Sequence, residues 1–433
     1  MAEKVLILGL SKSGIAAAKF AVSKGYDVYV TEKKNEVNLE QVKELQNLGV
    51  KIEHGSHSEE FISGASFAIT SPGIPPKSEI FRRLNEKNIK IISEVEFAYL
   101  NTKTPFIAIT GTNGKTTTTA LVSHILSKKF SAPVCGNIGV PPTSLIEENH
   151  DFLVCEISSY QAQMTEKFKA KIACWTNFTP DHIDWHGGLE NYFNAKAKIF
   201  LPPQEPEFAI LNAQDTKLKE FSKQCKNVIF FDDGNDCGIK NNSIFYKGEE
   251  IISLKDCPLV GHHNYQNIMC GIIIAKLVGM NNSDIREQIM SFRAPEHRLE
   301  KVRKMNGITF FNDSKATNPE ASIVAIDSFN NQNVALILGG RDKNTDLTEM
   351  CHSINKHIKT VLLIGEATER FEENLKKNGF SNIIKEHTME EAIDKAISLK
   401  PDVVLLSPAC ASFDMFKSYE HRGEVFKDYV LSK

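Results

Sequence analysis

The sequence predicts an α/β protein of three domains, each built on a mostly parallel sheet with helices packed on its faces. Three observations lead there. Short Val/Ile-rich apolar runs, which read as buried parallel strands, recur along the chain and alternate with segments of helical period. The length, 433 residues, accommodates about three ordinary domains. Residues 101–105 and 295–298 carry neither period and read as linkers, which sets the domains at residues 1–95, 96–296 and 297–433.

In the first domain, strands are expected at 4–9, 27–31, 51–53 and 67–70, with helices at 14–24 and 39–48. The first turn, Gly9-Leu10-Ser11-Lys12-Ser13-Gly14, approximates G-x-G-x-x-G but has Ser11 at the second glycine. That glycine is the one that lets a pyrophosphate reach the backbone, so a nicotinamide dinucleotide is disfavoured. A diphosphate could still rest on the helix N-terminus, with Ser11, Lys12 and Ser13 as donors. Glu32, closing the second strand, is placed to take a ribose or uridine hydroxyl or to remain a surface carboxylate. The turn Ser71-Pro72-Gly73-Ile74-Pro75-Pro76 faces the same sheet edge.

The central domain opens on Phe106-Ile107-Ala108-Ile109-Thr110, a buried strand, followed by Gly111-Thr112-Asn113-Gly114-Lys115-Thr116-Thr117 and a helix. Strand, glycine loop and helix N-terminus make an anion site, because unpaired N–H groups and the helix dipole point at the ligand. Lys115 supplies a charge for the β- and γ-phosphates of a nucleoside triphosphate, and the Thr116 hydroxyl can ligate Mg²⁺. Further strands are expected at 132–139, 151–157, 171–176, 207–212 and 227–231, a hairpin over 244–252, and helices at 264–278 and 283–292. Ligands gather at the carboxyl ends of such strands. Glu156 lies at one end and can hold Mg²⁺. His182, in the loop after the next strand, is a candidate metal ligand. A helix over 191–200 carries Lys196 and Lys198, and helical spacing alone reads the two as a solvated face.

The third domain repeats the pattern, with strands at 308–312, 334–339, 361–365 and 403–407. Its polar strand ends are Asn312-Asp313-Ser314-Lys315-Ala316-Thr317-Asn318, Gly339-Gly340-Arg341-Asp342-Lys343 and Ser407-Pro408-Ala409-Cys410-Ala411-Ser412. With His297-Arg298 they offer cations for phosphates, an Asp for ribose hydroxyls, and a pocket for a small charged substrate.

Composition limits the partners. A net charge of -3 gives no general attraction to nucleic acid or anionic membrane. No apolar run reaches the roughly 18 residues of a membrane helix, and the N-terminal run reads as a strand, not a signal peptide. Nine scattered cysteines without a C-x-x-C pair read as the reduced thiols of a cytoplasmic protein.

These motifs, in this order and spacing, resemble those of the Mur ligases, which add amino acids to the peptidoglycan precursor at the expense of ATP. The marks are Thr110–Thr117, Glu156-Ile157-Ser158-Ser159, Asn177-Phe178-Thr179-Pro180-Asp181-His182, His263-Asn264-Tyr265-Gln266-Asn267, His297-Arg298 and Asn312–Asn318. Ser71-Pro72-Gly73-Ile74 and the segment Leu406–Asp414, with Phe416-Lys417 and Arg422-Gly423, are similar to the D-glutamate-adding branch. The resemblance implies Rossmann-like first and third domains around a P-loop ATPase domain. It implies ATP held by Gly111, Thr112, Asn113, Gly114, Lys115, Thr116, Thr117, Asn267, Arg298 and Asp313. It implies one Mg²⁺ on Thr116 and Glu156, and a second on His182 and a Lys196 carbamylated by CO₂, against the solvated-face reading. UDP-N-acetylmuramoyl-L-alanine would be held by Ser13, Glu32, Lys33, Gly73, Asn137, Ser158, Gln161 and His182. D-Glutamate would be held by Lys315, Thr317, Lys343, Ser412 and Tyr419. Lys115, His182 and Lys196 would be catalytic, in a monomer without nucleic-acid or membrane partners. Thr31-Glu32-Lys33 departs from the Asp-Thr-Arg common in relatives, and Trp185-His186 is a local variation without an assigned role.

Overall fold

The computed structural model describes residues 2–259, 261–293, 296–329, 332–342 and 345–433. The chain divides into two compact units, one of Met1–Asp256 with Gln266–Ser291, the other of Cys257–Tyr265 with Phe292–Lys433.

The first unit contains two sheets. The N-terminal one comprises β1 (Lys4–Leu8), β2 (Asp27–Glu32), β3 (Lys51–His54), β4 (Phe67–Thr70) and β5 (Lys90–Ser93), all parallel in the order β3-β2-β1-β4-β5. β1 and the Lys12–Ser23 helix meet so closely that a Cβ on Gly14 would lie 2.0 Å from the Gly9 carbonyl oxygen. Gly14→Ala should therefore force helix and strand apart and cost about 2 kcal/mol, read as a lower denaturant midpoint at unchanged slope.

The second sheet comprises β6 (Phe106–Thr110), β7 (Val134–Gly136), β8 (Leu153–Glu156), β9 (Ile172–Trp175), β10 (Phe208–Asn212), β11 (Val228–Phe231), β12 (Cys237–Lys240), β13 (Ser243–Tyr246) and β14 (Glu249–Ser253). Its order is β14-β13-β12-β11-β10-β9-β6-β8-β7, parallel except for the two antiparallel pairings of β12–β14. The expected hairpin is thus the outer part of a three-stranded meander. β6 lies between β8 and β9, so its loop has the ends of both neighbours beside it.

Three anchors join these two sheets. Ser93 donates its N–H to the Met164 carbonyl at 2.8 Å. Glu94 accepts from the Thr143 N–H at 2.7 Å, and burial pushes its carboxyl up to about 7. Glu96, fully buried, accepts from the N–H groups of Glu166, Lys167 and Phe168 at 3.0, 2.8 and 2.9 Å. The Glu94–Leu100 helix, just ahead of the expected linker, is a clamp.

The second unit holds one sheet: β15 (Glu300–Met305), β16 (Ile308–Asn312), β17 (Val334–Gly339), β18 (Thr360–Ile364), β19 (Ile383–Lys385) and β20 (Val403–Leu406). The order is β15-β16-β20-β17-β18-β19, with β15 antiparallel at the edge and the rest parallel. Helices cover both faces, giving apolar clusters on either side of the sheet. Ala294-Pro295, expected to break the preceding helix, lies outside the described residues.

Candidate active site

The loop after β6 is shaped by two glycines with positive φ. Gly111 has φ 146°, and a Cβ there would lie 1.9 Å from the Thr176 hydroxyl oxygen. Gly114 is left-handed at φ 79° and caps the Lys115–Leu126 helix, a backbone that other residues adopt at a cost. The loop after β9 braces this turn: Thr112 donates its N–H to the Asn177 carbonyl at 3.0 Å, and Asn113 donates to Asn177 Oδ1 at 2.9 Å.

Lys115 folds back over its own loop, donating to the carbonyls of Gly111 at 3.0 Å and Thr112 at 2.8 Å. Thr116 donates its hydroxyl to Glu156 Oε2 at 2.8 Å, and Asn137 donates to Oε1 at 2.7 Å. The pairing follows from register, because Glu156 lies beside Ile109 of β6 and Gly136 of β7. Thr118 donates to Asn267 Oδ1 at 3.0 Å, which places Asn267 against the loop's helix.

Lys196 corrects the solvated-face reading. It is 1% exposed and donates its Nζ to the Gly111 carbonyl at 2.7 Å, the same oxygen that Lys115 uses. Burial, then the nearby Lys115 charge, holds its amine well below the usual lysine range. Lys198 is half-buried too and donates to the Gln163 carbonyl at 2.9 Å. The Leu189–Ala197 helix buries Tyr192, Phe193, Ala195, Lys196 and Ala197, so helical spacing alone could not say which face was wet.

His182 is left-handed at φ 50° and 44% exposed, and its Nε2 lies 3.3 Å from Asp181 Oδ2. Tyr192 stands between it and Lys196: its ring centre is 6.1 Å from the His182 ring and 4.9 Å from Lys196 Nζ. The Tyr192 hydroxyl meets Thr112 Oγ1 at 3.1 Å, so the ring also braces the loop. No motif flagged this tyrosine. Among the described residues no three His, Cys, Asp or Glu side chains form a ready-made metal cage. The Thr116–Glu156 pair still suits Mg²⁺, which takes one or two carboxylates and completes its shell with water and phosphate oxygens.

The proposed nucleotide-sugar residues fall in two groups. Ser158 and Gln161 form a capping box at the start of the Ser159–Gln163 helix, beside Glu156. At the carboxyl edge of the first sheet, Ser11 Oγ lies 3.0 Å from Ser13 Oγ and 2.8 Å from Ser71 Oγ, tying the turn that holds Gly73 to the first helix. Glu32 accepts from the N–H groups of Leu10 at 3.0 Å and Lys34 at 2.9 Å, so its carboxylate shapes the turn, and Lys33 is exposed.

In the second unit, Asp313 accepts from the Ser407 hydroxyl at 2.8 Å and the Leu299 N–H at 3.1 Å. Burial pushes its carboxyl up to about 7, opposed by these bonds and by the charges of Arg298 and Arg422. Lys315 donates to the Tyr419 hydroxyl at 3.0 Å, Thr317 follows two residues on, and Ser412 is buried nearby in sequence to Tyr419. Arg422, named among the motifs but given no role, organises this end. It is 1% exposed and donates to Ser314 Oγ at 3.0 Å and to the carbonyls of Ser314 at 2.8 Å, Cys410 at 3.0 Å and Ala411 at 3.3 Å. Lys343 lies outside the described residues.

Comparison with known proteins bears on this arrangement directly. Residues 3–93 match the N-terminal domain of MurD-like Mur ligases, 109–275 the Mur ligase middle domain, and 297–410 the Mur ligase glutamate ligase domain. The chain is 37% identical to the UDP-N-acetylmuramoylalanine–D-glutamate ligase of Caldanaerobacter subterraneus subsp. tengcongensis, over 99% of this chain and 98% of that protein. It is 38% identical, with the same coverage, to the enzyme of that name from Thermoanaerobacter pseudethanolicus. The chain belongs to the Mur ligase family. Another Mur ligase, the UDP-N-acetylmuramate-alanine ligase of Thermotoga maritima, shares the fold at 20% identity, with TM-score 0.62 over 99% of this chain and 100% of that one. The α/β fold expected from the Mur ligase resemblance is the fold found. Among the described residues, no helix is long and apolar enough to cross a membrane.

Proposed function

We propose that the chain joins D-glutamate to UDP-N-acetylmuramoyl-L-alanine at the expense of ATP, through an acyl phosphate, as a cytoplasmic monomer. The observation that carries the reading is the pair of amines, Lys115 and Lys196, meeting on the Gly111 carbonyl beside the Thr116–Glu156 pair. Burial and the neighbouring Lys115 charge on the same oxygen disfavour the protonated form of Lys196. Phosphate draws Lys115 off this oxygen, and CO₂ turns Lys196 into an anionic carbamate.

On this reading residues 1–95 hold the uridine diphosphate, through Ser13, Glu32, Lys33 and Gly73. Residues 96–296 hold the triphosphate and the alanyl-sugar end, through the loop, Asn137, Ser158, Gln161, His182 and Asn267. Residues 297–433 hold D-glutamate on Lys315, Thr317, Lys343, Ser412 and Tyr419, and present Arg298 and Asp313 to ATP. Mg²⁺, when bound on Thr116 with Glu156 and on His182 with carbamylated Lys196, neutralises charge on the phosphates. The loop N–H groups and Lys115 orient the γ-phosphate for in-line attack by the alanyl carboxylate, whose oxygen bonds the γ-phosphorus as the bond to the bridging oxygen breaks and ADP leaves. D-Glutamate's amine then attacks the acyl phosphate and phosphate leaves. The step requires no protein nucleophile, and buried Cys410 packs in the core.

Phosphate release from MgATP should require the nucleotide sugar and D-glutamate together, with L-glutamate and L-lysine inactive. Release driven by a folate with L-glutamate would sink the substrate assignment while sparing the ligase chemistry.

A further inference from the structure

Trp185 and His186 follow the candidate metal ligand His182 and have no part in the roles above. The Trp185 ring packs on Tyr160 at 4.5 Å and 48°. Tyr160 in turn meets the His182 ring at 5.0 Å and stacks on His186 at 5.6 Å and 13°. His186 is buried and its Nε2 lies 3.0 Å from Ser159 Oγ, so the ring cluster is pinned to the helix that follows Glu156.

One side of the Tyr160–Trp185 pair closes against the turn carrying Ser71, Pro72, Ile74 and Pro76. The other side opens on a cavity of about 590 Å³ lined by Pro75, Lys77, Tyr160, His182, Ile183 and Trp185. Ile183 is 44% exposed there. The Lys77 ammonium stands over Gly187, 3.2 Å from where a Cβ would sit. The Trp185 indole N–H is buried and has no acceptor among the described residues, so what the side chain offers the cavity is its ring.

An open aromatic wall with a lysine at one edge and an imidazole at the other does not suit a purely charged ligand, which would leave the rings uncovered. It suits a ring with an apolar C–H face and anionic groups on either side. A pyranose bearing a diphosphate on one carbon and a carboxylate-terminated substituent on another has that pattern. We propose that Trp185 is a specificity-determining residue: with Tyr160 it forms the platform on which the sugar ring of the nucleotide sugar stacks, while Lys77 holds one of its anionic groups. The inference rests on the substrate class proposed above and adds the residues that read the sugar.

The chain has two tryptophans, and Trp175 is fully buried in the core, so its emission is a constant background and a ligand-induced change is assigned to Trp185 by comparison with Trp185→Phe. Titrating UDP-N-acetylmuramoyl-L-alanine without ATP should change the emission saturably, whereas UDP alone should not, and Trp185→Phe should abolish the change. In steady state Trp185→Ala should raise KM for the nucleotide sugar about tenfold, leaving kcat and KM for ATP within a factor of about three. Trp185→Phe should restore KM, and Lys77→Ala should raise it severalfold. The proposal is overturned by an unchanged KM in a folded Trp185→Ala, by a full response to UDP alone, or by a response that survives in Trp185→Phe. If Trp185→Ala fails to fold, as its melting temperature would show, the Phe variant and Lys77→Ala decide. Absence of turnover by the unaltered enzyme would instead mean that the substrate class is wrong.

Discussion

Lys196→Ala should lower kcat by about a thousandfold or more, a loss of about 4 kcal/mol of transition-state stabilisation, with little change in melting temperature. The lysine is buried on the Gly111 carbonyl beside a second ammonium, a position that costs stability if the group is merely structural. Burial depresses its proton affinity, so the neutral, CO₂-reactive amine persists to lower pH than in an exposed lysine. The sign follows: the carbamate is favoured as pH rises and is lost as pH falls through the depressed folded value. Activity should therefore drop in CO₂-free buffer, recover with bicarbonate, and show its bicarbonate dependence most sharply on the acid side. A ¹³C carbamate resonance from labelled bicarbonate, absent in Lys196→Ala, would identify the group. Activity indifferent to CO₂, with no such resonance, would leave Lys196 as an amine.

Arg422→Leu should destabilise the second unit by about 3 kcal/mol and raise KM for D-glutamate well before it affects KM for the nucleotide sugar. The guanidinium donates to loops that leave two strands, Ser314 after β16 and Cys410 with Ala411 after β20. Removing it strands those buried acceptors and frees the loops that carry Lys315 and Ser412. Arg422→Lys keeps the charge but not the planar fork, so it should recover only part of the loss. Chemical unfolding gives the stability change and initial rates at varied D-glutamate give the KM; equal effects on all three substrates would indicate a general loss of fold.

Much of this architecture was legible because parallel strands buried on both faces are uninterrupted apolar runs, as in Phe106–Thr110 and Val334–Gly339. The strands that escaped notice lie at edges or carry charge. β15, Glu-Lys-Val-Arg-Lys-Met, has one wet face and owes its place to the Asn306-Gly307 turn, both residues at positive φ. Such a turn is a hairpin signal in its own right. The phosphate loop and Glu156 were readable since their chemistry lies in one short stretch and the register of neighbouring strands. Lys196 and Tyr192 were not, because their burial depends on the Leu189–Ala197 helix packing against the loop of Gly111 and Thr112, a tertiary fact that helical period does not encode. Arg422 stood in a recognised motif, yet two of its partners, Gly339 and Ser314, lie 83 and 108 residues away in sequence.

The carboxylate of Glu96, seated on three consecutive amides, has a consequence for how the gene could be cut and recombined. A fragment beginning at residue 101 would keep the amides of Glu166, Lys167 and Phe168 and lose their anion; one ending at residue 100 would keep a buried carboxylate and lose its donors. Either product carries an unmet electrostatic demand at a newly bared surface. The transferable module therefore runs through this helix, and chimeras that exchange the N-terminal sheet should carry the 164–168 segment with it.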